Sequence, residues 1–308
     1  MKRLCVSAGF LAYVLGQACA AETAASACEG KLVENWQNVP KVWKMQAGFA
    51  TYAKVNINID GYGRAYHRDN YKTDAVIHLC NAGEVILPDG SSYQGSESNA
   101  TCTGKFMSDF ARIEAAGWND PKVGAIRWYG VLATGTALIR GRTIHGVKPV
   151  LQKDGSGYYV SPTTLFDKSI GDETQQERYV HPLKIPAAVV PSAIAKAGIR
   201  LGSFGVSFSP KTNAAVPFVI GDIGPKIGEA TPALARQLAR LPPSDMITRQ
   251  TRYAGQVDTP SVLWIFFGDA PVEYRQSDPG AIVAAAGKAF EQWGGMSRLQ
   301  ACVKTVAR

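Results

Sequence analysis

The segment VIGDIGPKIGEA (219–230) places two carboxylates seven positions apart, Asp222 and Glu229. Paired carboxyls suit a reaction in which one group gives a proton to a leaving oxygen and the other activates the attacking water. A solvated surface loop fits the same residues. Three local features favour chemistry. Asp222 follows the apolar run PFVI, so its backbone leaves a rigid strand. Gly221, Gly224 and Gly228 permit close approach of a ligand to the main chain. Glu229 heads EATPALARQLA (229–239), a predicted helix with Pro232 in its first turn after Thr231. That position favours the charged form of Glu229 through the helix dipole. For Glu229 to act as an acid, burial or the nearby Asp222 charge must raise its pKa.

Other chemical motifs fall away. His67-Arg68-Asp69 has the letters of a kinase catalytic loop without the required Asn five residues on, where Asp74 stands, and no glycine-rich ATP loop precedes it. NINIDG (56–61) begins like a calcium loop, but position twelve is His67 rather than a bidentate Glu. A strand end with an Asn/Asp turn is the better reading. There is no H-E-x-x-H, G-x-S-x-G or P-loop, and no Cys-x-x-Cys pair. No metal and no cofactor are expected.

The elements that must hold the two acids are mostly strands. TYAKVNINID (51–60) alternates and breaks at Gly61-Tyr62-Gly63. DAVIHLC, EVILPDG, AIRWYGVLAT, GYYVSPTTL, SFGVSFS, VPFVIGD and SVLWIFFGD read as further strands. Residues 88–104 read as a polar loop, followed by a helix capped at Ser108 and ended by Gly117. PSAIAKAG is a short helix, and Asp278-Pro279 opens a longer one stopped by Gly294-Gly295. Many strands with few, late helices predict a mainly β, α+β fold: a single β-barrel-like domain with a few short helices. The expected divisions are a signal peptide over 1–20, a partly helical N-terminal segment over 21–45 and a catalytic domain over 46–308, with insertions near 90–120 and 135–180.

The leader reading rests on Lys2 and Arg3, an apolar run from Cys5 to Leu15 too short to span a bilayer, and the small-x-small site Ala18-Cys19-Ala20. It predicts a secreted or periplasmic protein with no membrane span. Cleavage leaves Cys28, Cys80, Cys102 and Cys302, which suggests two disulfides with three possible connectivities. Cys80–Cys102, closing a Gly/Ser-rich excursion, and Cys28–Cys302, tying the ends, are favoured. Asn99-Ala100-Thr101 is a glycosylation sequon of consequence only in a glycosylating host. The net charge of +8, less Lys2 and Arg3, is about +6 after cleavage. It suits an anionic partner such as a cell-wall polymer, or simply solubility. No Lys/Arg run carries interleaved aromatics, so nucleic acid is not an expected partner. A monomer is expected.

Gly221-Asp222 after an apolar strand, then Gly228-Glu229-Ala230-Thr231 before a helix, resembles the fungal-type chitosanases of glycoside hydrolase family seventy-five. Three weaker likenesses follow in chain order. VNINIDGYG (55–63) resembles an Asp-rich strand end, with Asn58 where the family has Asp and Asp60 retained. YVHPLKIP (179–186) resembles a His-Pro strand, and SVLWIFFGD (261–269) a late apolar strand. The loop between the acids is shorter than in fungal members. The resemblance implies a secreted hydrolase that degrades a polysaccharide: an inverting endo-glycosidase cutting β-1,4 linkages of a chitosan-like amino-sugar polymer. Glu229 would be the acid and Asp222 the base, with Asp60, Tyr62 and His181 lining the cleft. The basic charge, and Lys226 inside the loop itself, sit awkwardly with a polycation, so peptidoglycan is also a candidate substrate. The alternatives are a non-catalytic cell-wall glycan-binding module and a peptidoglycan-directed lytic enzyme.

Overall fold

The structure, a computed structural model, describes residues 27–70, 74–95, 100–267 and 271–306. The leader expected over 1–20 and Asn99 of the sequon lie outside the described residues.

The described residues open with a hairpin, β1 (Lys31–Trp36) and β2 (Val39–Met45), which continues antiparallel into β3 (Gly48–Ile57). This corrects the expectation of a partly helical segment before residue 46. The turn is Gln37-Asn38, both at positive φ (50° and 67°), as a two-residue primed turn requires. Its Gln-Asn chemistry is a weak sequence signal for a hairpin, beside the Asn-Gly or Asp-Gly that such turns favour.

A long excursion follows β3. β4 (Gly83–Ile86) lies between β5 (Ser92–Gln94) and β6 (Ala125–Trp128), and β7 (Ala133–Ile139) pairs with β8 (Arg142–Pro149). Helix α1 (Phe106–Ala115) packs with them. Leu79, Val85, Phe106, Ile126, Trp128 and Val147 belong to a core that this region builds for itself. Two expected strands are absent. DAVIHLC ends instead in a 3₁₀ turn (Leu79–Ala82), where the buried Asn70 side chain accepts from Leu79 N at 2.7 Å. GYYVSPTTL makes only isolated bridges at Tyr158 and Tyr159, because side chains take its neighbours' backbone groups: Thr163 Oγ1 accepts from Val180 N at 3.0 Å. Helix α1 begins at Phe106, so Ser108 lies inside it rather than capping it.

The second half completes a closed barrel. β9 (Ala187–Pro191) leads to a short helix α2 (Ser192–Lys196). β10 (Phe204–Ser209) turns into β11 (Ala214–Gly224). Then come β12 (Glu229–Ala230), helix α3 (Pro232–Leu238), β13 (Val257–Phe266), and helices α4 (Pro279–Trp293) and α5 (Gly295–Thr305). The strand order β3-β12-β9-β11-β10-β13 closes because β13 also pairs with β3, giving a six-stranded barrel with β1 and β2 appended. The protein is therefore mainly β with a few short helices, as the strand-rich sequence predicts.

Covered on both faces, barrel strands read as apolar runs rather than as alternation. In β13, Leu263 and Ile265 join the cluster under α4 and α5, with Ile282, Phe290 and Leu299. Val262, Trp264 and Phe266 join the cluster under α2 and α3, with Ile194 and Leu234. Cys28–Cys302 and Cys80–Cys102 both lie at disulfide distance, with Cα separations of 4.8 and 5.3 Å. Among the described residues no helix is long and apolar enough to cross a membrane.

Candidate active site

Asp222 stands at a break in the barrel. β11 runs parallel to β9 with a register shift between Ile220 and Asp222, so Gly221 is the bulged residue. The freed Gly221 carbonyl accepts from Leu165 N at 2.9 Å, which brings Thr164 against the bulge. Thr164 N (2.9 Å), Thr164 Oγ1 and Ile223 N (2.8 Å) all donate to Asp222 Oδ1. No donor among the described residues reaches Asp222 Oδ2.

Glu229 is carried by a strand, which corrects the expected helix start. Gly228 O accepts from Asn56 N at 2.7 Å, and Glu229–Ala230 pairs parallel with Asn56–Ile57 of β3. Gly228 must be glycine: its φ is +101°, and a Cβ there would lie 2.9 Å from Lys54 O. Helix α3 begins three residues after Glu229, at Pro232, and is capped by Thr231. Thr231 Oγ1 also accepts from Ala187 N at 2.9 Å and donates to Ile185 O at 2.8 Å, locking β9, β12 and α3 together. The helix dipole, which falls off within the first turn, is thus not centred on Glu229.

Strand β9 sets the spacing of the two acids. Val189 pairs with Asp222 on one side. On the other, the antiparallel pair Ala188–Ala230 leaves Glu229 level with Val189. Level residues share a sheet face, and backbones two strands apart lie roughly 9.5 Å apart. A Cβ placed on Gly224, two residues past Asp222 on that face, would lie 3.5 Å from Glu229 Oε2. The two carboxyls therefore flank one strand and face the same space.

Asp60 joins them from the end of β3. Asn58 N donates to Ala230 O at 2.8 Å, and Asn58 Oδ1 accepts from Asp60 N at 2.8 Å. NINIDG is thus a strand end closed by an Asn turn. All three acids are raised above their ordinary pKa values, Asp60 well above. Burial is the main cause at Asp60, followed by the Asp222 and Glu229 charges, while the Asn58 side chain pulls it back down. Burial also raises Asp222, against its hydrogen bonds from Thr164 and Ile223. At Glu229 burial again leads. Asn58 and Lys226 oppose it, and the Asp222 charge adds a smaller rise.

Tyr62 and His181 lie together elsewhere, with ring centroids 6.0 Å apart. They line a cleft of about 530 Å³ that starts at Gly61, directly after Asp60, with Tyr158, Gln152 and Gln176 on its walls. Burial raises the Tyr62 hydroxyl pKa; burial, then Lys184, lowers that of His181. A more apolar cleft of about 560 Å³ lies along the 224–227 loop, bounded by β2 and β3. Two residues escaped the sequence reading. Thr164 positions Asp222 from a loop that carries no motif. Tyr129 is 52% exposed. Its hydroxyl pKa is raised by burial first, then by Glu84, with Asp60 adding a smaller push. An exposed aromatic that feels the charge of acids from other segments has no linear signature. Among the described residues no group of three His, Cys, Asp or Glu side chains is arranged to hold a metal.

A closed six-stranded barrel bearing three carboxyls at the ends of β3, β11 and β12 is the class of molecule that these residues define. No protein-family model matches the chain, and no curated protein matches it.

Proposed function

We propose that the protein is an exported endo-glycosidase that hydrolyses β-1,4 linkages of an amino-sugar polymer with inversion. The observation that carries this reading is the placement of Asp222 and Glu229 on either side of β9, level with Val189. Inverting enzymes need roughly 6.5–9.5 Å between carboxyls, to admit a water, against roughly 5–5.5 Å for retention. Two strand spacings suit the wider gap. The N-terminal leader pattern and two disulfides support export.

Glu229 acts as the general acid. Its pKa is raised, chiefly by burial, which is the direction that a proton donor to the glycosidic oxygen requires. Asp222 acts as the base: Oδ1 is fixed by its donors, and Oδ2 takes the proton of a water attacking the opposite face of the sugar. Asp60 stands with the pair, and Tyr62 and His181 line the neighbouring cleft. The fungal-type chitosanase likeness of Gly221-Asp222 and Gly228-Glu229 supports the same assignment.

The test is product analysis on chitosan and peptidoglycan side by side, comparing wild type with Asp222→Asn and Glu229→Gln. Wild type should release reducing ends with an inverted anomeric centre, and each variant should lose about 10²–10⁴ in rate with its circular dichroism unchanged. Full activity in either variant would refute the pair. Anhydro ends would assign a lytic enzyme instead, and glycan sedimentation without new ends a binding module.

A further inference from the structure

The cleft beside the catalytic loop has a charge that the proposed chemistry does not use. Lys41 and Lys226 both line it, and no Asp or Glu is among its lining residues. Both lysines are exposed, and neither ammonium forms an ion pair among the described residues. The rest of the wall is largely apolar, with Tyr52, Pro40 and Pro225 among its members. Such a wall suits sugar faces and acetamido methyls better than ammonium groups. The cleft is continuous with the carboxylates: Gly224 lines it, and a Cβ on Gly224 would lie 3.5 Å from Glu229 Oε2. A glycan crossing the loop at Glu229 would lay a neighbouring sugar in this cleft.

We propose that the cleft along the 224–227 loop binds carboxylate groups of an acidic, N-acetylated glycan, with Lys41 and Lys226 as its cationic contacts. This rests on the glycosidase reading for the bond that is cut, but not for the binding itself. Like charges disfavour a polycation here, whereas a carboxylate gains two complementary contacts. The carboxylate can sit on the sugar, as a lactyl ether or a uronic acid, or on a peptide attached to it.

Calorimetry with the Glu229→Gln protein measures binding without turnover. The ligands are peptide-free strands of alternating N-acetylglucosamine and N-acetylmuramic acid, the same strands with their carboxyls reduced, peptide-bearing strands, a uronic-acid oligomer and chitin oligomers. Carboxylate-bearing strands should bind at least about ten-fold tighter than reduced ones. Adding Lys41→Gln and Lys226→Gln should abolish that ratio and its salt dependence, with circular dichroism unchanged. A preference confined to peptide-bearing strands supports the site and places the carboxylate on the peptide. Equal binding of native and reduced strands overturns the proposal, as does a preference that survives both lysine substitutions. A preference without cleavage of these strands or of chitosan by wild type supports this site and overturns the hydrolase reading. Cleavage without a preference does the reverse, and no binding to any strand overturns this site.

Discussion

Asp222 Oδ1 accepts from Thr164 N, Thr164 Oγ1 and Ile223 N, so the carboxyl is held against rotation and its two oxygens are differently solvated. Thr164→Val removes one donor. The Asp222 pKa should then rise further, moving the acidic limb of kcat/KM to higher pH, and kcat should fall about ten-fold from lost orientation. An unchanged pH profile would make Thr164 merely structural. Asp60 gives a stability prediction. Its folded-state pKa is raised, so between its ordinary value near 3.8 and the raised value the folded state binds more protons than the unfolded chain. Stability contributed by this group is therefore lost as pH rises through that window. Asp60→Asn should raise Tm relative to wild type at pH 7, and the gain should shrink towards pH 4. An equal difference at both pH values would sink the assignment.

The barrel strands supply the site by small irregularities: the bulge at Gly221, the two-residue β12 and the positive-φ Gly228. Gly228→Ala must place a side chain against Lys54 O at φ +101°, at a cost of about 1–3 kcal/mol. Denaturant unfolding should show that loss, together with reduced activity, because Glu229 is the next residue. Stability equal to wild type would show that the backbone can relax there. These irregularities also mark where the sequence was and was not legible. Long apolar runs such as SVLWIFF announce buried strands, and PFVI announces β11, the strand that carries Asp222. A strand of two residues has no period, so Glu229 was assigned to the helix whose cap, Thr231, lies two positions on. AAVVP was too short and uniform to declare itself as β9, the strand that spaces the acids. Asp60 was singled out and does stand with Asp222 and Glu229. Tyr62 and His181 were singled out with it but share the neighbouring cleft, because the chain turns away at Gly61.

Over the whole molecule, acidic groups pull stability in opposite directions. Burial pushes Asp167 up, but hydrogen bonds from Ser169, Gln276 and Arg275 outweigh it and bring it down to about 2. Its contribution is present above its ordinary value and is lost as pH falls towards 2, whereas the three site carboxyls lose theirs as pH rises. The Cys28–Cys302 bond has a mechanical consequence. It joins positions 274 residues apart in sequence across a Cα gap of 4.8 Å. Tension applied at the chain's two extremities passes through this covalent shackle and bypasses the barrel. In an optical trap the oxidised protein should yield only residues outside the span from Cys28 to Cys302. After reduction it should pay out about 950 Å more contour, at roughly 3.5 Å for each of the 274 residues. Equal extension in both redox states would mean that the bond does not form. If it does form, a translocating motor gripping one end meets a loop to be dragged through whole rather than a thread to be drawn.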